Sequence, residues 1–118
     1  MGLDISKEIS TSQSGQKIVI LGITGELKQE NLVVLDNTVN SLYDDDGIEY
    51  LILDIEKVSS ISSSGLGLLI NLTQLPGAQN GIRLINVQDK FKVLFELLGL
   101  GDKLKIVDNR ETAINSWN

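Results

Sequence analysis

Five serines and two glycines are crowded into VSSISSSGLGLLINL, Val58 to Leu72, between one apolar run and a longer one. If the stretch joins a strand to a helix, two kinds of chemistry are open to it. The first turn of a helix carries unpaired N–H groups and the positive end of the helix dipole, which favour a nearby anion by roughly 0.3–1 kcal/mol. A phosphate is therefore accommodated there. Gly65 and Gly67 also remove side-chain bulk from that turn, which lets the backbone of another protein come close. The plainer reading is that Ser62 or Ser63 is only the helix N-cap and the glycines only make the turn.

Catalysis by these serines has little support. A nucleophile elbow needs G-x-S-x-G, and no glycine stands two places before Ser62, Ser63 or Ser64. A P-loop needs Lys-Ser/Thr after its glycines, and GLGLLI has neither. The chain contains no histidine and no cysteine, so the usual general base, thiolate chemistry and the common zinc sites are absent. No catalytic residue, cofactor or metal site is expected. The acidic run DDD at Asp44–Asp46 reads as a solvated loop, since calcium would need further spaced ligands.

Composition narrows the partners. With 118 residues, 42% of them hydrophobic and 22% charged, the chain suits a single folded domain over 1–118. Ten basic against sixteen acidic residues leave a net charge of -6 without a basic run, which repels a nucleic-acid backbone. MGLDISKEIS lacks the basic start and apolar core of a signal peptide, and no apolar run reaches the ~18 residues of a membrane span. A cytoplasmic protein without nucleic-acid binding or membrane insertion is expected. The loose myristoylation match at MGLDIS and the sequon at Asn71 are short patterns that arise by chance.

The elements that hold the serine stretch can be read from periodicity. KIVILGITG, Lys17–Gly25, predicts a strand, with LDISKEI, Leu3–Ile9, as its hairpin partner across the turn SQSGQ. Leu32, Leu35, Val39 and Leu42 recur at helical spacing between Gln29 and Leu42. EYLILDI, Glu49–Ile55, predicts a second apolar strand, and LGLLINLTQL, Leu66–Leu75, a buried helix that ends before Pro76 and a loop PGAQNG. IRLINV, Ile82–Val87, predicts a strand. DKFKVLFELLGLG predicts a helix with Phe91, Leu94, Phe95 and Leu98 on one face, Asp89 as N-cap and Gly99 as its stop. KLKIV, Lys103–Val107, predicts a short strand, and DNRETAINSW a last helix docked by Ile114 and Trp117. The alternation predicts an α/β sandwich: a mixed sheet of four to five strands covered mainly on one face by about four helices.

LILDIEKVSSISSSGLGLLI, Leu51–Ile70, resembles the signature of the STAS domain, and within it the bacterial anti-sigma factor antagonists, where an apolar strand leads into a D-S-[ST]-G-[LI]-G turn. ILGITGEL resembles the family's second strand and its G-[ED]-L-D loop, and FKVLFELLGLGDKLKIVDNRETAI its C-terminal helix, strand and helix. The resemblance implies an antagonist that captures an anti-sigma factor which is also a serine kinase. Phosphorylation by that kinase releases it, and a PP2C-like phosphatase resets it. It implies Ser63 as the phosphorylated residue, with Ser62 and Ser64 as alternatives, and Glu26, Lys28, Ser62, Ser64, Gly65 and Leu66 as the surface offered to the partner. The chain departs from the family pattern at Ser62 and at Lys28, where the family has acids. The alternative reading is a STAS module that scaffolds a stress-signalling or transport complex without turnover at Ser63.

The purified chain is expected to show no hydrolase or transferase turnover. Steady-state assays that found activity abolished by Ser63→Ala would contradict this.

Overall fold

The computed structural model describes residues 2–74, 81–101 and 104–117. Strand β1 (Asp4–Thr11) turns back on strand β2 (Lys17–Leu27) as an antiparallel hairpin. The turn is closed by Ser12 N–H to Gln16 O at 2.9 Å and by Gln16 N–H to Ser12 Oγ at 3.1 Å. Helix α1 (Leu32–Asp44), strand β3 (Tyr50–Ile61), helix α2 (Ser63–Thr73) and strand β4 (Ile82–Ile85) follow. Helix α3 (Asp89–Leu97), strand β5 (Ile106–Val107) and helix α4 (Arg110–Asn115) complete the order.

The sheet runs β1-β2-β3-β4-β5, and every pair after the first is parallel. Each crossover therefore steps the same way across the sheet. With the constant handedness of such connections, α1, α2 and α3 fall on one face. There Leu35, Val39, Leu42, Leu69, Leu72, Phe91 and Phe95 pack against Val19, Leu21, Ile23, Leu51, Leu53, Ile55 and Leu84. The other face of the sheet carries Ile18, Ile20, Ile52 and Ile85, covered by Ala113, Ile114 and Trp117 of the C-terminal segment. Burial on both sides explains why β2 and β3 begin as near-continuous apolar runs. Trp117 stacks on Tyr50 with ring centroids 4.7 Å apart, and the Arg83 guanidinium lies 4.9 Å from the indole centroid. The mixed sheet, mainly one-sided, agrees with the sequence expectation, and α4 is the helix that crosses to the second face.

Several boundaries differ for physical reasons. α1 starts at Leu32 rather than Gln29, because Lys28 to Asn31 forms a turn closed by Asn31 N–H to Lys28 O at 3.0 Å. β3 runs on to Ile61, six residues past the expected end at Ile55. β4 stops at Ile85, before Asn86 takes a left-handed φ of 56°. Asp89 is not the cap of α3: it lies in the first turn, and Gln88 occupies the N-cap position. Leu98, expected on the packed face, is exposed, while Gly99 ends the helix with φ +69°. α2 is buried on one side only, through Gly65, Leu69, Leu72 and Thr73. Pro76 and the expected loop up to Asn80, with Lys103 of the expected KLKIV strand, lie outside the described residues.

Among the described residues, Tyr43 Oη is the buried side-chain oxygen without a hydrogen-bond partner, and desolvation pushes its pKa up to about 12. The phenol stays neutral across the physiological range.

Leu53 and Leu69 are both fully buried on the helix-covered face. Truncating either to Ala is expected to cost on the order of 2–5 kcal/mol in denaturant unfolding. Unchanged midpoints in both variants would contradict the packing of α2 on β3.

Candidate functional site

The serine turn begins on a strand that outruns its neighbour. β4 pairs only with Leu51 to Asp54 of β3, so the rest of β3 has one open edge. Two side chains from the start of α3 fill it. Gln88 Nε2 donates to Glu56 O at 3.0 Å and to Val58 O at 2.6 Å, and Lys90 Nζ donates to Ser59 O at 2.8 Å. Carbonyls that a longer β4 would have taken are thereby satisfied. On the other edge β2 continues alongside, with register shifts near Gly22 and Gly25, until Leu27 faces Ile61.

The chain then turns into α2. Ser62 is extended (φ -76°, ψ 170°), its N–H donates to Leu27 O at 2.8 Å, and its Oγ accepts from Gly65 N–H at 3.0 Å. Ser62 is thus the N-cap. Ser63 and Ser64 follow in the first turn, both exposed. Neither hydroxyl makes a hydrogen bond with another described residue. Gly65 is buried: a Cβ there would stand 2.5 Å from Leu27 O and 2.9 Å from Leu27 Cβ. The space that its lack of a side chain was expected to offer a partner is filled by the protein's own strand. A Cβ on Gly67, by contrast, would meet nothing within 4 Å beyond its own helix, and Leu66 is half-buried against the core.

Glu26 and Lys28 lie on the β2 side of the turn. Lys28 Nζ is 3.1 Å from Glu26 Oε2 and 3.7 Å from Glu30 Oε2, and Ser60 Oγ donates to Glu26 Oε1 at 3.4 Å. The hydrogen bond from Lys28, and then its charge, hold the Glu26 carboxyl below the usual carboxylate range; the same pair raises the Lys28 ammonium. Both are solvent-facing, so the pair adds little stability and weakens in salt. Asn31, buried, closes the loop by accepting Lys28 N–H on Oδ1 at 3.2 Å. In the next turn Val33 and Val34 are exposed, which puts apolar surface at the start of α1.

The expected residues therefore separate. Ser63 and Ser64 are presented to solvent, Glu26 and Lys28 form an exposed ion pair, Ser62 is occupied as the cap, and Gly65 faces inward. Sequence reasoning missed Gln88, Lys90 and Leu27, which build the turn from a distance. Their only sequence signal is that polar residues follow the apolar part of β3. Among the described residues no cluster of three acidic side chains could hold a metal ion, and Asp46 of the acidic run lies 3.6 Å from Lys7 Nζ.

The sequence pattern of the STAS domain matches residues 10–113. The fold is shared with several solved structures. Phosphorylated SpoIIAA from Bacillus superposes with TM-score 0.70 at 22% identity, over 98% of this chain and 100% of that one. An anti-sigma factor antagonist from Mycobacterium paratuberculosis gives 0.74 at 16% identity, over 94% and 92%. An RsbS variant from Moorella thermoacetica gives 0.56 at 14% identity, over 92% and 91%.

The two glycines of α2 are expected to respond in opposite directions. Gly65→Ala forces a methyl against the Leu27 carbonyl and should destabilise by about 1–3 kcal/mol. Gly67→Ala enters open space in a helix interior and should stabilise by roughly 0.5–1 kcal/mol. Chemical denaturation of both variants checks this; equal effects would contradict the contact between α2 and Leu27.

Proposed function

This chain belongs to the STAS domain family, and we propose that within it the chain acts as an anti-sigma factor antagonist, switched by phosphorylation of Ser63. The observation that carries this reading is the division of labour among the serines. Ser62 Oγ is used as the helix cap, whereas the Ser63 and Ser64 hydroxyls are exposed on the first turn without a hydrogen bond to another described residue, and the family resemblance selects Ser63 of the two. The family's acid at the Ser62 position is also a good N-cap, so replacing it with serine keeps the turn and removes one negative charge.

The partner in this reading is an anti-sigma factor that is also a serine kinase. Ser63 Oγ attacks the γ-phosphorus of ATP, the new O–P bond forms as the bond to the β-phosphate bridging oxygen breaks, and ADP leaves. The hydroxyl proton goes to a base on the kinase. A PP2C-like phosphatase reverses the step by directing water at the phosphorus, which returns the free serine and inorganic phosphate. The kinase step draws on ATP, which makes the cytoplasm the place of action in this reading. Among the described residues no helix is long and apolar enough to cross a membrane.

The switch acts on docking rather than on folding. Phosphate adds about -1.5 to -2 charges, and the start of a helix tolerates them. A partner closing over Ser63, Ser64 and Leu66 must instead strip water from a dianion, which is costly without a matched cation.

Ser63→Ala is expected to keep partner binding within a few-fold, and Ser63→Asp to weaken it by at least about tenfold, with stability little changed in either. Calorimetry with the cognate anti-sigma factor measures both. Phosphopeptide mapping after incubation with that kinase and Mg-ATP reads the site: phosphate on Ser62 or Ser64 corrects it, and intact binding without any phosphate favours the scaffold role.

A further inference from the structure

Lys28 departs from the family pattern, and the sheet register shows where that departure falls. Glu26 faces Ser60 and Leu27 faces Ile61. Both strands end there, and the 2.8 Å bond from Ser62 N–H to Leu27 O brings the residue after Leu27, Lys28, up to the start of α2. Side chains two apart on a strand share a face. The ion pair between Lys28 and Glu26, and the hydrogen bond from Ser60 to Glu26, confirm that Lys28 lies on the side of Glu26 and Ser60. The Lys28 backbone therefore adjoins the cap residue that precedes Ser63, which leaves the first turn of α2 within the span of a lysine side chain. The cation on the other edge of β3, Lys90, is committed to Ser59 O.

Among the described residues the ammonium is held by solvent-exposed carboxylates, those of Glu26 and Glu30. Such pairs exchange readily when a stronger acceptor arrives. One of the first-turn amides, Gly65 N–H, is already taken by Ser62 Oγ, so the helix end offers an incoming anion less than its full set of donors.

We propose that Lys28 is the built-in counter-ion for phosphate on Ser63, and that phosphorylation draws the Lys28 ammonium away from Glu26. The proposal rests on the phospho-switch reading of the same turn. A phosphate brings about two charges and three acceptor oxygens against one charge and two oxygens for a carboxylate, so it wins the ammonium. The consequence reaches beyond Ser63. Before modification Lys28 neutralises the patch formed with Glu26 and Glu30; afterwards both carboxylates stand uncovered beside the turn. Repulsion is spread over the docking surface instead of being confined to one residue.

The test uses full-length protein with phosphoserine inserted at position 63 during synthesis, so that no kinase is needed. The second ionisation of the phosphate is followed by 31P NMR, and Glu26 by carboxylate-detected NMR titration. Lys28→Ala is expected to raise the phosphate pKa by about half a unit, roughly threefold in proton affinity. Lys17→Ala, at the other end of β2, should leave it unchanged. With Lys28 present, phosphorylation should raise the Glu26 pKa to the value seen in unphosphorylated Lys28→Ala, because the lysine is the main cause of its depression. Equal phosphate pKa values with and without Lys28 would overturn the proposal, and so would a Glu26 titration that ignores the phosphate. Failure of a cellular kinase to modify Ser63 sinks the switch reading instead, and leaves the measured pairing intact.

Discussion

The close approach of α2 to the end of β2 is the constraint on which the rest of this surface depends. Leu27 O receives the Ser62 N–H, and Leu27 also fills the space beneath Gly65. A side chain at position 65 has nowhere to go, so the helix cannot keep its axis with anything larger than glycine there. With the axis fixed, Ser62 is in place to cap, Leu69 and Leu72 reach the core, and Ser63 and Ser64 are left facing outward. The exposure of those hydroxyls is thus a by-product of tight packing one residue further on.

The strand leading into the turn is supported differently on its two edges. On one side it has ordinary parallel pairing with β2; on the other it has the side chains of Gln88 and Lys90 in place of a neighbouring strand. Gln88 makes two bonds to carbonyls two residues apart, which is the spacing of successive acceptors along one edge of a strand. The serine turn is therefore tied to α3 as well as to β2, although β4 ends well short of it.

Much of this was legible in the sequence, because apolar periodicity records burial. Leu35, Val39 and Leu42 mark the packed face of α1, and the apolar starts of β2 and β3 mark strands covered on both sides. The extension of β3 was not legible: Glu56, Lys57, Ser59 and Ser60 are exposed and polar, and long-range contacts, β2 on one edge and Gln88 and Lys90 on the other, keep them extended. Local context marks Asp89 as a cap, but the N-cap position falls to Gln88, whose amide is engaged with residues about thirty positions away. No local pattern reports such a contact. Gly65 shows the same limit, since a small residue made small by its own strand looks in sequence like one made small for a partner.

The stack of Trp117 on Tyr50, beneath the Arg83 guanidinium, has an optical consequence. Trp117 is the only tryptophan, and it sits at the opposite end of β3 from the serine turn, on the sheet face that α4 covers. Its emission is therefore a gauge of whether the C-terminal segment is seated. It reports on the sheet face that α4 covers, at the end of β3 away from the serine turn.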